Sequence, residues 1–213
     1  MKTIGVVLSA GVGARFKNDL PKQYHILNGK TVISYVIDTL RKSSQVDDIL
    51  VMCGDEYYCQ KVAKEYDVKT LIGGATRNMT VKNALNYITE SGEYNKVLFL
   101  DSARPNQKVD YIDGCVELLD EYDCVITTQY ITDSLGSYKE SFVDRKEYYL
   151  IQTPECFKVE ALKDFDENST CTAIVQQLDE TSKIYCNYNL LNNIKITYEN
   201  DIALASIIMK DNL

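Results

Sequence analysis

Apolar and polar positions follow two rhythms along this chain. Short apolar runs at 3–9 (TIGVVLS), 48–53 (DILVMC), 68–72 (VKTLI), 96–101 (KVLFLD) and 124–128 (CVITT) predict strands, mostly buried on both faces. Between them apolar residues recur at helical spacing. Val32, Ile33, Val36, Ile37 and Leu40 form one stripe. Val62, Ala63 and Tyr66 form a second, opened by Asp55 as a cap. Val81, Ala84, Leu85 and Ile88 form a third, Ile112, Val116 and Leu119 a fourth, and Ile202, Ala205, Ile208 and Met209 a last. Strands alternating with helices of this length predict an α/β chain, its mostly parallel central sheet covered by helices. Residues 129–149 break the pattern, being polar and aromatic with a Gly136-Ser137 turn signal. They predict a protruding hairpin arm suited to dimerisation. The expectation is a single domain over 1–213 carrying that arm.

Length and charge narrow the possibilities. A chain of 213 residues can bury a substantial core unaided. With 23 basic against 31 acidic residues, its net charge of -8 speaks against nucleic acid as the main partner. No apolar stretch approaches the roughly 20 residues of a membrane span, so no membrane partner is expected. The opening apolar run is short and is followed at once by Arg15 and Lys17, which reads as a buried strand rather than a signal peptide. Seven cysteines without a C-x-x-C motif predict reduced thiols filling the core of a cytoplasmic protein.

Candidate chemistry begins at LSAGVGARFKNDLPKQY (8–24), where glycines 11 and 13 precede Arg15, Lys17 and Lys22. A dinucleotide fingerprint would need glycine at Phe16, and a Walker A loop ending in NGKT would need one at Tyr24. Both fail. What remains is a glycine loop with local cations, a combination suited to phosphate. Further polar clusters are GGATRNMT (73–80), DSARP (101–105), QTPE (152–155) and NIKIT (193–197). Pro21, Pro105 and Pro154, the three prolines of the chain, all fall in such clusters, where a fixed φ stiffens a loop. His25 reads as a partly buried structural residue before a ligand contact.

In this order, LSAGVGARF…PKQY, GGATRNMTVKNAL, LDSARP, TDS…VDR, QTPECF and NIKITYENDIALA resemble the methylerythritol-phosphate and ribitol-phosphate cytidylyltransferases, from residue 4 to residue 206. The resemblance implies a Rossmann-like nucleotidyltransferase fold, a homodimer joined through arms, and a magnesium-dependent reaction. CTP and a polyol phosphate would give a CDP-polyol and pyrophosphate. It also implies roles. Arg15 and Lys22 would bind the CTP phosphates and stabilise the transition state, above a backbone cradle of Leu8, Ser9, Ala10 and Gly11 with Gly13 in the same loop. Gly74, Arg77 and Thr80 would contact the cytidine, and Asp101 and Arg104 would lie near sugar and acceptor. Ser134, Arg145 and Lys195 would hold the acceptor, with Arg145 acting across the dimer. No metal-ligating residue is assigned.

Such a reaction needs cations more than a base. A phosphate monoester has a second pKa of about 6 and is already largely a dianion at neutral pH. Each close approach of like charges costs roughly 1–4 kcal/mol at about 4 Å, so positioning and positive charge do the catalysis. Departures from the family pattern gather on the acceptor side: Leu100 and Ser102 in LDSARP, Gly136 after Asp133-Ser134, Cys171 and Thr172 at carboxylate positions, and Glu155 after Thr153-Pro154. The expected acceptor is ribitol 5-phosphate or a related polyol phosphate destined for a surface polysaccharide. The alternatives are 2-C-methyl-D-erythritol 4-phosphate and, in another class, a catalytically silent CTP-binding protein. A nicotinamide oxidoreductase is opposed by Phe16 and by the paired cations.

Overall fold

The computed structural model describes residues 2–11, 13, 15–16, 18–139 and 141–210, and Lys17 of the loop cations lies outside them. The chain runs β1 (Lys2–Ser9), β2 (Ile26–Leu27), β3 (Lys30–Thr31), α1 (Val32–Lys42), β4 (Asp48–Cys53), α2 (Glu56–Tyr66) and β5 (Lys69–Ile72). It continues through α3 (Arg77–Ser91), β6 (Tyr94–Asp101), α4 (Val109–Leu118), β7 (Cys124–Tyr130), β8 (Tyr149–Lys158), β9 (Ile184–Asn187) and α5 (Asn200–Lys210). Seven strands form one sheet in the order β5-β4-β1-β6-β8-β7-β9, while β2 and β3 pair as a small antiparallel ribbon. Among the described residues of the seven-stranded sheet, only β8 runs against its neighbours; the other pairings there are parallel.

Alternate residues of the strands serve opposite faces, as the pleat requires. Val7, Val51 and Leu98 point towards the stripes of α1, α2 and α4. Val6, Leu50 and Phe99 point the other way, onto Val81, Ala84, Leu85 and Ile88 of α3. Asp55 caps α2 as expected, its side chain accepting from the Tyr58 amide at 2.9 Å. A third cluster joins α5 to the front of the molecule: Ala205 and Met209 pack with Phe16, Leu27, Val32, Ala103 and Ile196. All seven cysteines are free, five of them buried.

Four strands have no counterpart in the hydrophobic pattern: the short β2 and β3, and in the main sheet β8 and β9. QTPE lies inside β8 rather than after a parallel strand. There the pairing with β7 jumps from Ile126↔Glu155 to Thr127↔Gln152, leaving Thr153 and Pro154 as a bulge. A bulge is where a strand accommodates proline. Beyond Tyr130↔Tyr149 the ribbon of β7 and β8 opens into the expected arm, mostly exposed, with Tyr138 and Phe142 turned to solvent. Gly136-Ser137 forms no regular turn in it. Among the described residues no helix is long and apolar enough to cross a membrane.

Candidate active site

A cavity of about 460 Å³ opens over the C-terminal ends of β1, β4, β5 and β6, where parallel sheets keep their ligand sites. Leu8, Ala10 and Gly11 form one wall, their backbone pinned by Gln23, whose Nε2 donates to the Ser9 carbonyl at 2.8 Å and to the Gly11 carbonyl at 3.3 Å. The loop then turns through Gly13, whose φ of +66° lies in the left-handed region that favours glycine, and the Phe16 amide donates back to its carbonyl at 2.7 Å. Phe16 is buried and meets the His25 ring edge-on at 4.8 Å. Nε2 of His25 pairs with the Leu20 carbonyl oxygen at 3.0 Å and so carries the ring proton. Both rings therefore anchor the loop, as the structural reading of His25 expected.

Lys22 lines the cavity and donates from Nζ to the Ile196 carbonyl at 2.8 Å, which ties the glycine loop to the NIKIT segment. Burial and the neighbouring Lys195 pull its pKa down, and Arg15 adds to the effect, while Asp101 opposes it. Arg15 is exposed beside this group and is not part of the cavity wall.

Across the cavity, Gly73 and Gly74 lead into α3. A Cβ at Gly73 would stand 2.4 Å from that of Ala10, and one at Gly74 would stand 2.3 Å from that of Met79. Glycine here is a matter of room. Thr76 caps α3 by accepting from the Met79 amide at 3.1 Å. Oγ1 of Thr80 accepts from the Gly74 amide at 3.0 Å and donates to the Thr76 carbonyl at 2.9 Å. The free amides of a helix N-terminus face the cavity rim, a favourable place for an anion.

A smaller polar cavity of about 140 Å³ adjoins the first and shares Arg77, Asp101 and Lys195 with it. Asp101, at the end of β6, accepts from Lys195 Nζ at 2.6 Å and lies 3.5 Å from Arg104 Nε. Burial works against its ionisation, but Lys195, Arg77 and Arg104 outweigh this and bring its pKa down to about 2. Arg104 is itself buried and donates from Nη1 to the Asn193 carbonyl at 2.6 Å, while its Nε finds no aligned acceptor among the described residues. Arg77 donates from Nη1 to the Thr172 carbonyl at 2.6 Å and from Nη2 to Glu155 at 2.9 Å.

The structure thus brings Leu8, Ala10, Gly11, Lys22, Gly74, Arg77, Thr80, Asp101, Arg104 and Lys195 together around two joined cavities. Others stand apart. Ser9 is buried and does not line the cavity, and Gly13 shapes the loop without lining it. Ser134 and Arg145 belong to the arm and line neither cavity; Arg145 donates to the Thr132 carbonyl within the arm itself. Gln23, Gly54 and Ser102 are lining residues that carried no assigned role. A roomier hollow of about 600 Å³ between α4 and residues 187–192 has, among the described residues, only Lys108 and Asp110 as charged lining residues, so these offer a polyphosphate no cationic cluster.

The profile of the 2-C-methyl-D-erythritol 4-phosphate cytidylyltransferase family, IspD, matches residues 3–211. The chain belongs to this family. It is a CTP-dependent cytidylyltransferase, a nucleotidyltransferase of Rossmann-like fold. Relatives bearing the family's name include one from Vibrio parahaemolyticus, 32% identical with 95% of this chain and 93% of that protein covered. Another, from Lachnospira eligens, is 31% identical over 96% of this chain and 98% of the relative. Among solved structures, the bifunctional IspDF of Campylobacter jejuni matches with a TM-score of 0.80 and 26% identity. The alignment covers 95% of this chain and 54% of that one. The 4-diphosphocytidyl-2C-methyl-D-erythritol synthase of Anaerococcus prevotii shares the fold at a TM-score of 0.79, with 21% identity and 98% of each chain covered. These relatives give the expected ribitol phosphate no support and favour the alternative acceptor.

Proposed function

We infer that the chain transfers the cytidylyl group of CTP to 2-C-methyl-D-erythritol 4-phosphate, giving 4-diphosphocytidyl-2-C-methyl-D-erythritol and pyrophosphate. The observation that carries this reading is the meeting of Lys22, Lys195 and Asp101 on one cavity in a chain whose family profile runs almost end to end. An oxygen of the acceptor phosphate attacks the α-phosphorus in line. The bond from that phosphorus to the α,β-bridging oxygen breaks, and pyrophosphate leaves with the electron pair. The attacking dianion needs no base. Lys22, with Arg15 beside it, offsets the charge that collects on the α-phosphate oxygens and the leaving group. The Gly11 loop and the first turn of α3 supply backbone amides to the rest of the nucleotide.

Lys195 and Asp101 form the acceptor side, the lysine for the phosphate and the carboxylate for a hydroxyl. Among the described residues no cluster of three or more His, Cys, Asp or Glu could hold a metal, and Asp101 is the one carboxylate lining the larger cavity. This donor set fits Mg²⁺ carried in on the triphosphate, since Mg²⁺ commonly takes one or two carboxylates plus substrate phosphates. Bound there, Mg²⁺ would neutralise phosphate charge. The working protein is a cytoplasmic homodimer joined through its arms, which would give Ser134 and Arg145 a site to serve in the partner.

Pyrophosphate release with CTP and Mg²⁺ across a panel of polyol phosphates tests this reading, with ATP, GTP and UTP as nucleotide controls. Release with 2-C-methyl-D-erythritol 4-phosphate and CTP is expected. A preference for ribitol 5-phosphate would overturn the acceptor, and silence throughout with CTP still bound by calorimetry would make the chain a binder.

A further inference from the structure

Arg77 stands at the seam between the two cavities, yet its guanidinium is already held from one side. Nη1 donates to the Thr172 carbonyl, and Nη2 donates to Oε1 of Glu155. Glu155 is 1% exposed, and its other oxygen, Oε2, accepts from the Val175 amide at 3.1 Å. A carboxylate so buried persists only with both oxygens engaged. Here they clamp the first residue of α3 and the 172–175 segment to the bulged strand β8.

The smaller cavity is lined by three cations, Arg77, Arg104 and Lys195, against two carboxylates, Asp101 and Glu155. With five charges around about 140 Å³, the choice of partners matters. As arranged, Glu155 takes Arg77 and Asp101 takes Lys195. The other pairing is within electrostatic reach, because Arg77 is among the groups that favour the ionised form of Asp101. A guanidinium presents a planar fork that suits a carboxylate better than an ammonium does. Released from Glu155, Arg77 would compete with Lys195 for Asp101.

We propose that Glu155 is a positioning residue: by holding Arg77 against the Thr172–Val175 side of the smaller cavity it keeps that guanidinium off Asp101, leaving Asp101 with Lys195 in the arrangement that receives the acceptor phosphate. This rests on the cytidylyltransferase reading above and extends it to a residue that never touches the substrate.

The test is a set of steady-state measurements on the full chain with CTP, 2-C-methyl-D-erythritol 4-phosphate and Mg²⁺, comparing E155Q, R77M and the double variant. In E155Q the acceptor KM rises about tenfold, and the CTP KM rises no further than it does in R77M, which loses the same guanidinium from the nucleotide cavity. The double variant, with no guanidinium to misplace, returns the acceptor KM to within about threefold of the unaltered chain. A residue that merely held the fold together would show no such rescue. An unmoved acceptor KM in E155Q, or a double variant no better than E155Q, overturns the proposal. Should E155Q fail to fold by circular dichroism, R77M decides. An acceptor KM within about threefold of normal, beside a CTP KM raised by the lost cytidine contact, supports the competition, and a tenfold rise in the acceptor KM would make Arg77 itself an acceptor ligand and overturn it. If the unaltered chain releases no pyrophosphate from CTP, the activity itself is wrong. Normal turnover with unmoved KM values in E155Q removes only the role of Glu155.

Discussion

At the scale of single residues, Asp101 and Glu155 line one small cavity and are pushed in opposite directions. Burial raises both, but Lys195, Arg77 and Arg104 carry Asp101 down to about 2, whereas for Glu155 burial outweighs Arg77 and the pKa ends above its ordinary value of 4.5. The signs for stability follow. Asp101 contributes stability that is fully present above 3.8, its ordinary value, and is lost as pH falls from there through about 2. The amount is on the order of 2 kcal/mol. Glu155 works the other way, costing stability as pH rises past its ordinary value. Denaturant unfolding of the unaltered chain and of Asp101→Asn, followed from about pH 5 to about pH 2, should give curves that converge as the acid end is reached. Parallel curves would mean that the Asp101 charge is worth nothing to the fold. Lys22 has its pKa lowered by burial and by Lys195, so it loses its charge at a lower pH than an exposed lysine. The CTP KM should therefore climb on the alkaline side, and Lys22→Arg should delay that climb. A flat KM across the alkaline range would remove Lys22 from phosphate binding. Lys22 was legible in the sequence because a cation beside a glycine loop is unusual in an acidic chain. Glu155 was not, because a glutamate within a strand bears no local mark of the arginine that burial brings to it.

Elements make the site by how closely their backbones approach. Gly73 and Gly74 let the turn before α3 close on Ala10 and Met79, whereas a Cβ at Gly11 would meet nothing within 4 Å. The two positions should therefore separate stability from binding. Gly73→Ala should cost about 1–3 kcal/mol in unfolding free energy through overpacking. Gly11→Ala should leave stability within about 0.5 kcal/mol and raise the CTP KM, because its methyl group enters the space left for the ligand. Equal losses of stability in both would show that Gly11 is a folding residue. The helices and the parallel strands other than β9 were readable because each keeps an apolar stripe or run. β8 escaped notice for a physical reason. It runs antiparallel, and its sequence, YLIQTPECFK, has its alternation broken by polar residues and a proline, which only the bulge at Thr153 and Pro154 makes compatible with a strand.

On the scale of the whole molecule, the arm is a surface in search of a neighbour. Tyr138 and Phe142 are exposed there, and Ser134 and Arg145 reach neither cavity of their own chain. Sedimentation of the unaltered chain should give a dimer, and deletion of residues 133–147 should give a monomer. A monomer at every concentration before the deletion would end the idea of exchange between arms. Whether Ser134 and Arg145 complete a site was never legible from one chain, because sequence names the residues without saying whose cavity they face. The position of β8 reaches further, into the order in which the molecule can be built. It lies fifth in the sheet, between β6 and β7, yet it is made after both. While the chain emerges from the ribosome, β5, β4, β1 and β6 can assemble as soon as residue 101 is free. β7 must wait without a partner until residues 149–158 arrive and slide between two strands already made. The nucleotide cradle thus exists before the wall that carries Glu155, and a nascent chain halted near the arm would display an open edge at β6, the moment at which it is most exposed to misassembly.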